Sequence, residues 1–263
     1  MAATYLDSIL AAHRGRVAAD QRSFDRLVDE ARGCSPPRDF AASFGSDFAV
    51  VAEVKRRSPS KGAIAADLDP ATLAAAYERG GAACVSVLTD VDHFGGSPDD
   101  LVSARAAIAL PVLRKDFTVS PSDVCDARIM GADAVLLIVA ALDDAELADF
   151  HALATELGLA ALVEVHDEPE LERALRVGAT VVGVNQRDLV TFAVDTERAV
   201  RLAPQMPEGI VRIAESGITG PDDAAALANA GYHAVLVGES LVRSQDPAAA
   251  VAALRAVGRK ADQ

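Results

Sequence analysis

The chain has 263 residues, and 39 Asp+Glu against 25 Lys+Arg give it a formal net charge of −14. So acidic a chain is a poor nucleic-acid binder, because phosphates need clustered cations, and anionic membrane surfaces repel it. Apolar residues make up 51%, enough for a packed core rather than disorder, and the length fits one large α/β domain or two ordinary ones.

Only four cations are lysines: Lys55, Lys61, Lys115 and Lys260. Cys34, Cys84 and Cys125 form no CxxC pair, which argues against a disulfide framework or a cysteine-based zinc site and suits a reducing cytosol. The N-terminus lacks a basic region followed by an apolar run, so no signal peptide is expected. The longest apolar stretch, residues 134–142, is too short to span a bilayer.

In chain order, residues 5–32 read as one or two amphipathic helices and residues 33–47 as a loop. Beyond them a rhythm appears. Eight short apolar runs start near residues 48, 82, 111, 132, 159, 179, 210 and 232, on average about 25 residues apart. Four of them follow directly on a helix-ending glycine, at Gly81, Gly131, Gly178 and Gly231. Each gap carries a helix signal. Asp69, Ser97 and Ser120 each precede a proline, the pairing of an N-cap with proline at the first helical position, and Asp167 with Glu170 predicts a capping box around Pro169. The runs are nearly continuous in Val, Leu, Ile and Ala, as strands of a helix-covered parallel sheet are. Eight strand–helix units predict a single (β/α)8 TIM barrel over residues 48–263, with residues 1–47 as an N-terminal helical extension. A doubly wound open sheet is the alternative; no G-x-G-x-x-G turn follows any run, which counts against it.

In such a barrel the chemistry sits at the C-terminal strand ends, and six of the eight end in polar residues here. They carry Glu53 and Lys55, Arg114-Lys115-Asp116, Glu164 and His166, Asn185 to Asp188, Glu215-Ser216-Gly217, and Gly238-Glu239-Ser240. A packed interior excludes unpaired charge, so lysines, arginine and glutamates converging on one mouth would compensate one another and move pKa values toward neutrality. Three of the four lysines fall at or beside strand ends, in a chain that otherwise uses arginine; lysine, unlike arginine, can give up its proton as a general acid. Gly217 and Gly238 follow the last two strands, where barrels commonly bind phosphate through backbone N–H groups. His13, His93, His151, His166 and His233 show no metal-ligand spacing. All five read as structural or surface residues, with His166 leaving the barrel in the turn after its strand.

AEVKRRSPSKG (52–62), FGGS (94–97), VLRKDF (112–117), LVEV (162–165), GVNQRDL (183–189), AESGI (214–218) and LVGESL (236–241) together resemble the indole-3-glycerol phosphate synthase family, in order and spacing, over essentially the whole chain. The resemblance implies a lyase of tryptophan biosynthesis. Its substrate would be 1-(2-carboxyphenylamino)-1-deoxyribulose 5-phosphate, and its products indole-3-glycerol phosphate, CO2 and water, with no cofactor and no metal. By motif, Lys115 resembles the general acid on the substrate ketone, Glu164 an acid/base carboxylate, and Lys55 a second lysine that binds anionic groups and assists dehydration. Glu53, Asn185 and Ser216 match polar residues that orient substrate and lysines. Arg187, Gly217, Gly238 and the backbone of Glu239 match a phosphate region, Ser58 a substrate contact, and Phe117 and Leu136 apolar contacts to the anthranilate ring. Which lysine and which glutamate serves each step the motif leaves open. The resemblance further implies a cytosolic monomer with a phosphorylated, anionic small-molecule substrate. The rivals are another phosphate-binding barrel, such as phosphoribosylanthranilate isomerase, and a non-catalytic relic of the scaffold. The first would lack the two lysine motifs and the N-terminal extension, the second one or more of Lys115, Glu164 and Asn185.

Overall fold

The structure is a computed structural model that describes residues 4–45, 47–59 and 62–257. Lys61 and Lys260 lie outside the described residues. The eight apolar runs form eight parallel strands: β1 (Ala49–Val54), β2 (Cys84–Leu88), β3 (Val112–Lys115), β4 (Ala134–Ile138), β5 (Ala160–Val165), β6 (Val181–Asn185), β7 (Val211–Glu215) and β8 (Ala234–Val237). Each pairs with its neighbours in sequence, and β8 pairs with β1, so the sheet closes into a barrel. Closure leaves the barrel itself no edge strand among the described residues. A two-stranded antiparallel hairpin, Arg57–Ser58 with Gly62–Ala63, follows β1.

The helices begin where their caps predict. Asp69, Ser97 and Ser120 each accept the backbone N–H three residues on, and a proline follows each. Asp143 and Glu146 form a reciprocal box at the start of Asp144–Glu156. The box expected at Asp167 differs. Asp167 does accept the Glu170 N–H at 2.9 Å, but the Glu170 carboxylate reaches past Asp167 to the backbone N–H of His166 at 2.7 Å. There it also meets a second donor, the His166 ring. Helices then stop at residues such as Gly81 and Gly131, with φ of 83° and 90°, a left-handed turn that costs glycine nothing and swings the chain into the next strand.

The extension is two helices, α1 (Tyr5–Ala19) and α2 (Phe24–Gly33). Helix α1 buries a thin stripe of Leu6, Ile9 and His13 and lies against the C-terminal mouth. There the His13 ring meets Asp90 and Phe117, and Tyr5 packs edge-on against Phe192. The chain then descends the outside of the barrel. Arg128 donates to the carbonyls of Cys34 and Ser35, and Arg38 donates to that of Leu110 at 2.6 Å. At the opposite end Asp133, fully buried just before β4, accepts from Arg38 N–H (2.8 Å), Val112 N–H (2.8 Å) and Arg105 Nη2 (2.9 Å). One carboxylate therefore ties the extension, β3 and a barrel helix together, far from the mouth. Asp133→Ala removes a buried acceptor set and leaves the Arg105 charge without its partner. Chemical denaturation is expected to show a loss of about 3–5 kcal/mol, with kcat of the folded fraction unchanged.

Candidate functional site

Side chains alternate along a strand, so residues two apart share a face. Glu53 of β1, Lys115 of β3, Glu164 of β5, Asn185 of β6 and Glu215 of β7 all turn toward the barrel axis at its C-terminal end, with Lys55 just beyond β1. They line a cavity of about 630 Å³. Of the residues predicted from sequence, Ser58, Phe117, Leu136, Arg187, Ser216, Gly217, Gly238 and Glu239 line the same cavity. The whole predicted set is thus brought together.

At its centre is one cation among carboxylates. Lys115 Nζ donates to Glu164 Oε2 at 2.8 Å and lies 3.1 Å from Glu215 Oε2. Asn185 Nδ2 donates to the other Glu164 oxygen at 3.0 Å. Glu164 and Glu215 are almost completely buried. A short distance away Lys55 Nζ stands 2.5 Å from Glu53 Oε1. The strand register places Gly183 of β6 beside Glu164 of β5, and the Glu215 carboxylate occupies the room a Cβ at Gly183 would fill. Gly183→Ala is therefore expected to push Glu215 off Lys115. Steady-state kinetics should show kcat down by at least ~10-fold, since a small misplacement of such a group is costly, and the melting temperature should fall as the buried contact with Lys115 is lost.

The electrostatics correct one expectation. Burial alone would lower the Lys115 pKa, but Glu164, Glu215 and Glu53 outweigh it and push it up. The lysine is not poised near neutrality; it is held as an ammonium. The group moved to neutrality is a carboxyl. Burial, with repulsion from Glu164, raises Glu215 to about 7 despite the opposing pull of Lys115. Glu164 moves the other way: burial raises it, and Lys115, His166 and the Asn185 hydrogen bond more than reverse that. Two neighbouring carboxyls pushed apart in this manner are able to divide the roles of acid and base.

The rest of the cavity divides by chemistry. Phe94, Phe117, Leu136 and Ile138 form an apolar wall on the β3–β4 side, suited to a flat aromatic ring. Across from it lie the turns after β7 and β8. Ser216 and Gly217 have φ of 66° and 76°, a consecutive left-handed pair that bends the chain sharply at the rim. Arg187 and Arg243 line the cavity there. The Glu239 carboxylate faces Arg243 at 3.3 Å, in keeping with the expectation that only its backbone serves an anion.

Three residues at or beside the cavity fall outside the set that the motifs single out. Glu215, next to the motif residue Ser216, is the one that reaches Lys115. The two-residue alternation would have singled it out, since β7 pairs Glu215 with the inward Asn185. Arg243 lies a turn beyond the last motif. His166 does not leave the barrel: its ring turns back and sets Nε2 3.6 Å from Glu164 Oε1, because Glu170 holds Nδ1 from the other side at 3.0 Å. His13 and His93 both bond Asp90. With it they bring three ligating atoms within 4.8 Å, a cluster their sequence separation hides.

Comparison with known proteins agrees with the motifs. The family model described as "Indole-3-glycerol phosphate synthase" matches residues 6–254. The indole-3-glycerol phosphate synthases of Mycolicibacterium vanbaalenii and Mycobacterium avium are each 51% identical to this chain over 259 residues, covering 97% of it and 95% of the relative. That of a Nocardioides species is 53% identical over 250 residues, 94% of this chain and 96% of the relative. Among solved structures, thiamine phosphate pyrophosphorylase from Pyrococcus furiosus has a TM-score of 0.61 at 16% identity, over 81% of this chain and 96% of that one, a likeness of fold alone. Motifs that converge on one cavity, and a match that runs nearly end to end, lead to one assignment: the chain belongs to the indole-3-glycerol phosphate synthase family.

Proposed function

We propose that this chain closes the indole pyrrole ring, converting 1-(2-carboxyphenylamino)-1-deoxyribulose 5-phosphate to indole-3-glycerol phosphate, CO2 and water. The observation that carries the reading is the Lys115 ammonium, gripped by Glu164 and Glu215 on the floor of a cavity with an apolar wall at one side and arginines at the other. The substrate has the same division, with an aromatic ring at one end and a phosphate at the other. The ring packs on Phe117 and Leu136. The phosphate lies by the backbone of Gly217, Gly238 and Glu239, with Arg187 and Arg243 supplying charge and Ser58 a hydroxyl contact.

In this reading Lys115 donates to the ketone oxygen as the aromatic carbon attacks. A raised pKa does not hinder that transfer, because an oxygen gaining alkoxide character is a far stronger base than lysine. Loss of CO2 then restores the aromatic ring. Dehydration requires a hydroxyl to leave with a proton and a neighbouring carbon to lose one. Lys55 assists the first, and Glu164 with Glu215 provides the base. Glu53 orients Lys55, while Asn185 and Ser216 orient Glu164 and the substrate. The residues present account for these steps without a metal or cofactor. We take the protein to act as a cytosolic monomer; Cys34, Cys84 and Cys125 form no CxxC pair, which supports a reducing compartment.

Incubating the purified chain with the substrate and following indole fluorescence tests the reading. Product should accumulate, and a folded protein that makes none sinks it. Phosphoribosylanthranilate in a parallel assay separates this activity from that of an isomerase.

A further inference from the structure

Glu164 has a third neighbour besides Lys115 and Asn185. His166 is the first residue after β5, and its side chain is only 11% exposed. Two hydrogen bonds to one Glu170 oxygen fix it, from its backbone N–H at 2.7 Å and its ring Nδ1 at 3.0 Å. The ring is thereby aimed so that Nε2, buried and with no hydrogen-bond partner among the described residues, faces Glu164 Oε1 at 3.6 Å. With Nδ1 donating to Glu170, a neutral ring would turn a lone pair on a carboxylate, which repels it. A protonated ring turns an N–H toward the same oxygen.

We propose that His166, oriented by Glu170, is a positioning residue that stands as an imidazolium beside Glu164 and compensates its charge. The proposal rests on the function above, and its use comes at the proton step. When Lys115 gives its proton to the substrate it becomes neutral, and Glu164, almost completely buried, loses its principal cation. His166 keeps that carboxylate anionic and in place, with no proton moving to or from the ring itself. The charged groups facing the ring are Glu164 from β5, Glu170 from the following helix and Arg198 from the helix after β6, with Lys115 and Glu215 behind Glu164. Burial and Arg198 lower the His166 pKa, but the two glutamates prevail and raise it.

The full chain, labelled with 15N-histidine, is titrated by NMR, and His166 is assigned by the resonance that His166→Gln removes. His166 should titrate above the ordinary value of about 6.5, and Glu170→Gln should bring it down. A ring that titrates at or below that value overturns the proposal, whether or not the protein turns over. In steady-state assays, His166→Gln keeps a donor but no charge; kcat should fall about 10-fold while KM stays within about twofold. Glu170→Gln keeps the ring bonded but leaves it neutral at pH 8. Its kcat relative to wild type should rise about tenfold from pH 8 to pH 6, as the ring regains its proton. A ratio flat across pH marks a merely structural pair and also overturns the proposal. Absence of wild-type turnover, by contrast, defeats the assigned reaction and leaves the NMR titration to decide His166.

Discussion

Lys115→Ala is expected to lower kcat by ~10²- to 10⁴-fold, the contribution of a placed proton donor. The variant should also be less stable. Glu164 and Glu215 are both buried against Lys115 Nζ, at 2.8 and 3.1 Å, and removal of the cation leaves Glu215 uncompensated and Glu164 with His166 alone. Breaking a buried pair in this way costs about 3–5 kcal/mol, and the loss has a signature in pH. With the lysine gone, Glu215, already raised by burial, loses the pull that opposed it and rises further, so the folded protein binds that proton more tightly and acidification from pH 8 to pH 5 should restore stability. Urea melts across that range measure it. Lys115→Arg separates charge from acid. The guanidinium keeps the compensation but does not give up its proton, so melts should be near wild type while kcat stays low. Arginine that restores turnover would remove proton donation from the role of Lys115.

Glu215→Gln should have the second largest effect. Held near pH 7 by burial and by its neighbour Glu164, Glu215 is the group able to change protonation at working pH. The kcat/KM profile of the wild type should bend near pH 7, an apparent value that belongs to the Glu164–Glu215 pair. In Glu215→Gln that bend should vanish, with kcat lower by ~10²- to 10³-fold. Stability should run against activity, falling as pH rises. The folded pKa lies above the unfolded one, so wild-type protein is most favoured below about pH 4.5 with respect to this group. It loses on the order of 3 kcal/mol as pH rises to about 7. Glutamine has no such dependence, and its melts should be flatter over that window. Glu164, displaced downward, contributes stability throughout the neutral range, lost only at acid pH. An unchanged bend near pH 7 in Glu215→Gln would assign the titration elsewhere.

The barrel was legible because its signals are local. A run of branched apolar residues, an N-cap before proline and a glycine after the last turn each act within a few residues, and all eight units repeat them. The site was legible because charge at a strand end stands out against an apolar chain. What escaped the sequence depends on distance in space. The Lys115 pKa follows from three carboxylates on three other strands, and its sign reverses once they are placed. His166 was misjudged because the strand alternation stops at Val165; beyond it only the Glu170 contacts decide where a ring points. Helix α1 was read as a helix, but its thin stripe of Leu6, Ile9 and His13 gives no hint that it docks on Asp90, Phe117 and Phe192.

That docking bears on the order in which the molecule is made. His13 bonds a residue 77 positions later, the Arg38 backbone one 95 positions later, and Tyr5 packs on Phe192. A ribosome releases α1 and α2 before the barrel, yet their seats do not exist until the second, third and sixth strands have followed. These helices thus emerge ahead of the barrel and settle only once most of it has followed, at a loop-closure cost that grows with those separations. Until then Leu6, Ile9 and Leu27 remain open to solvent, and the half-built barrel has no roof over its catalytic end.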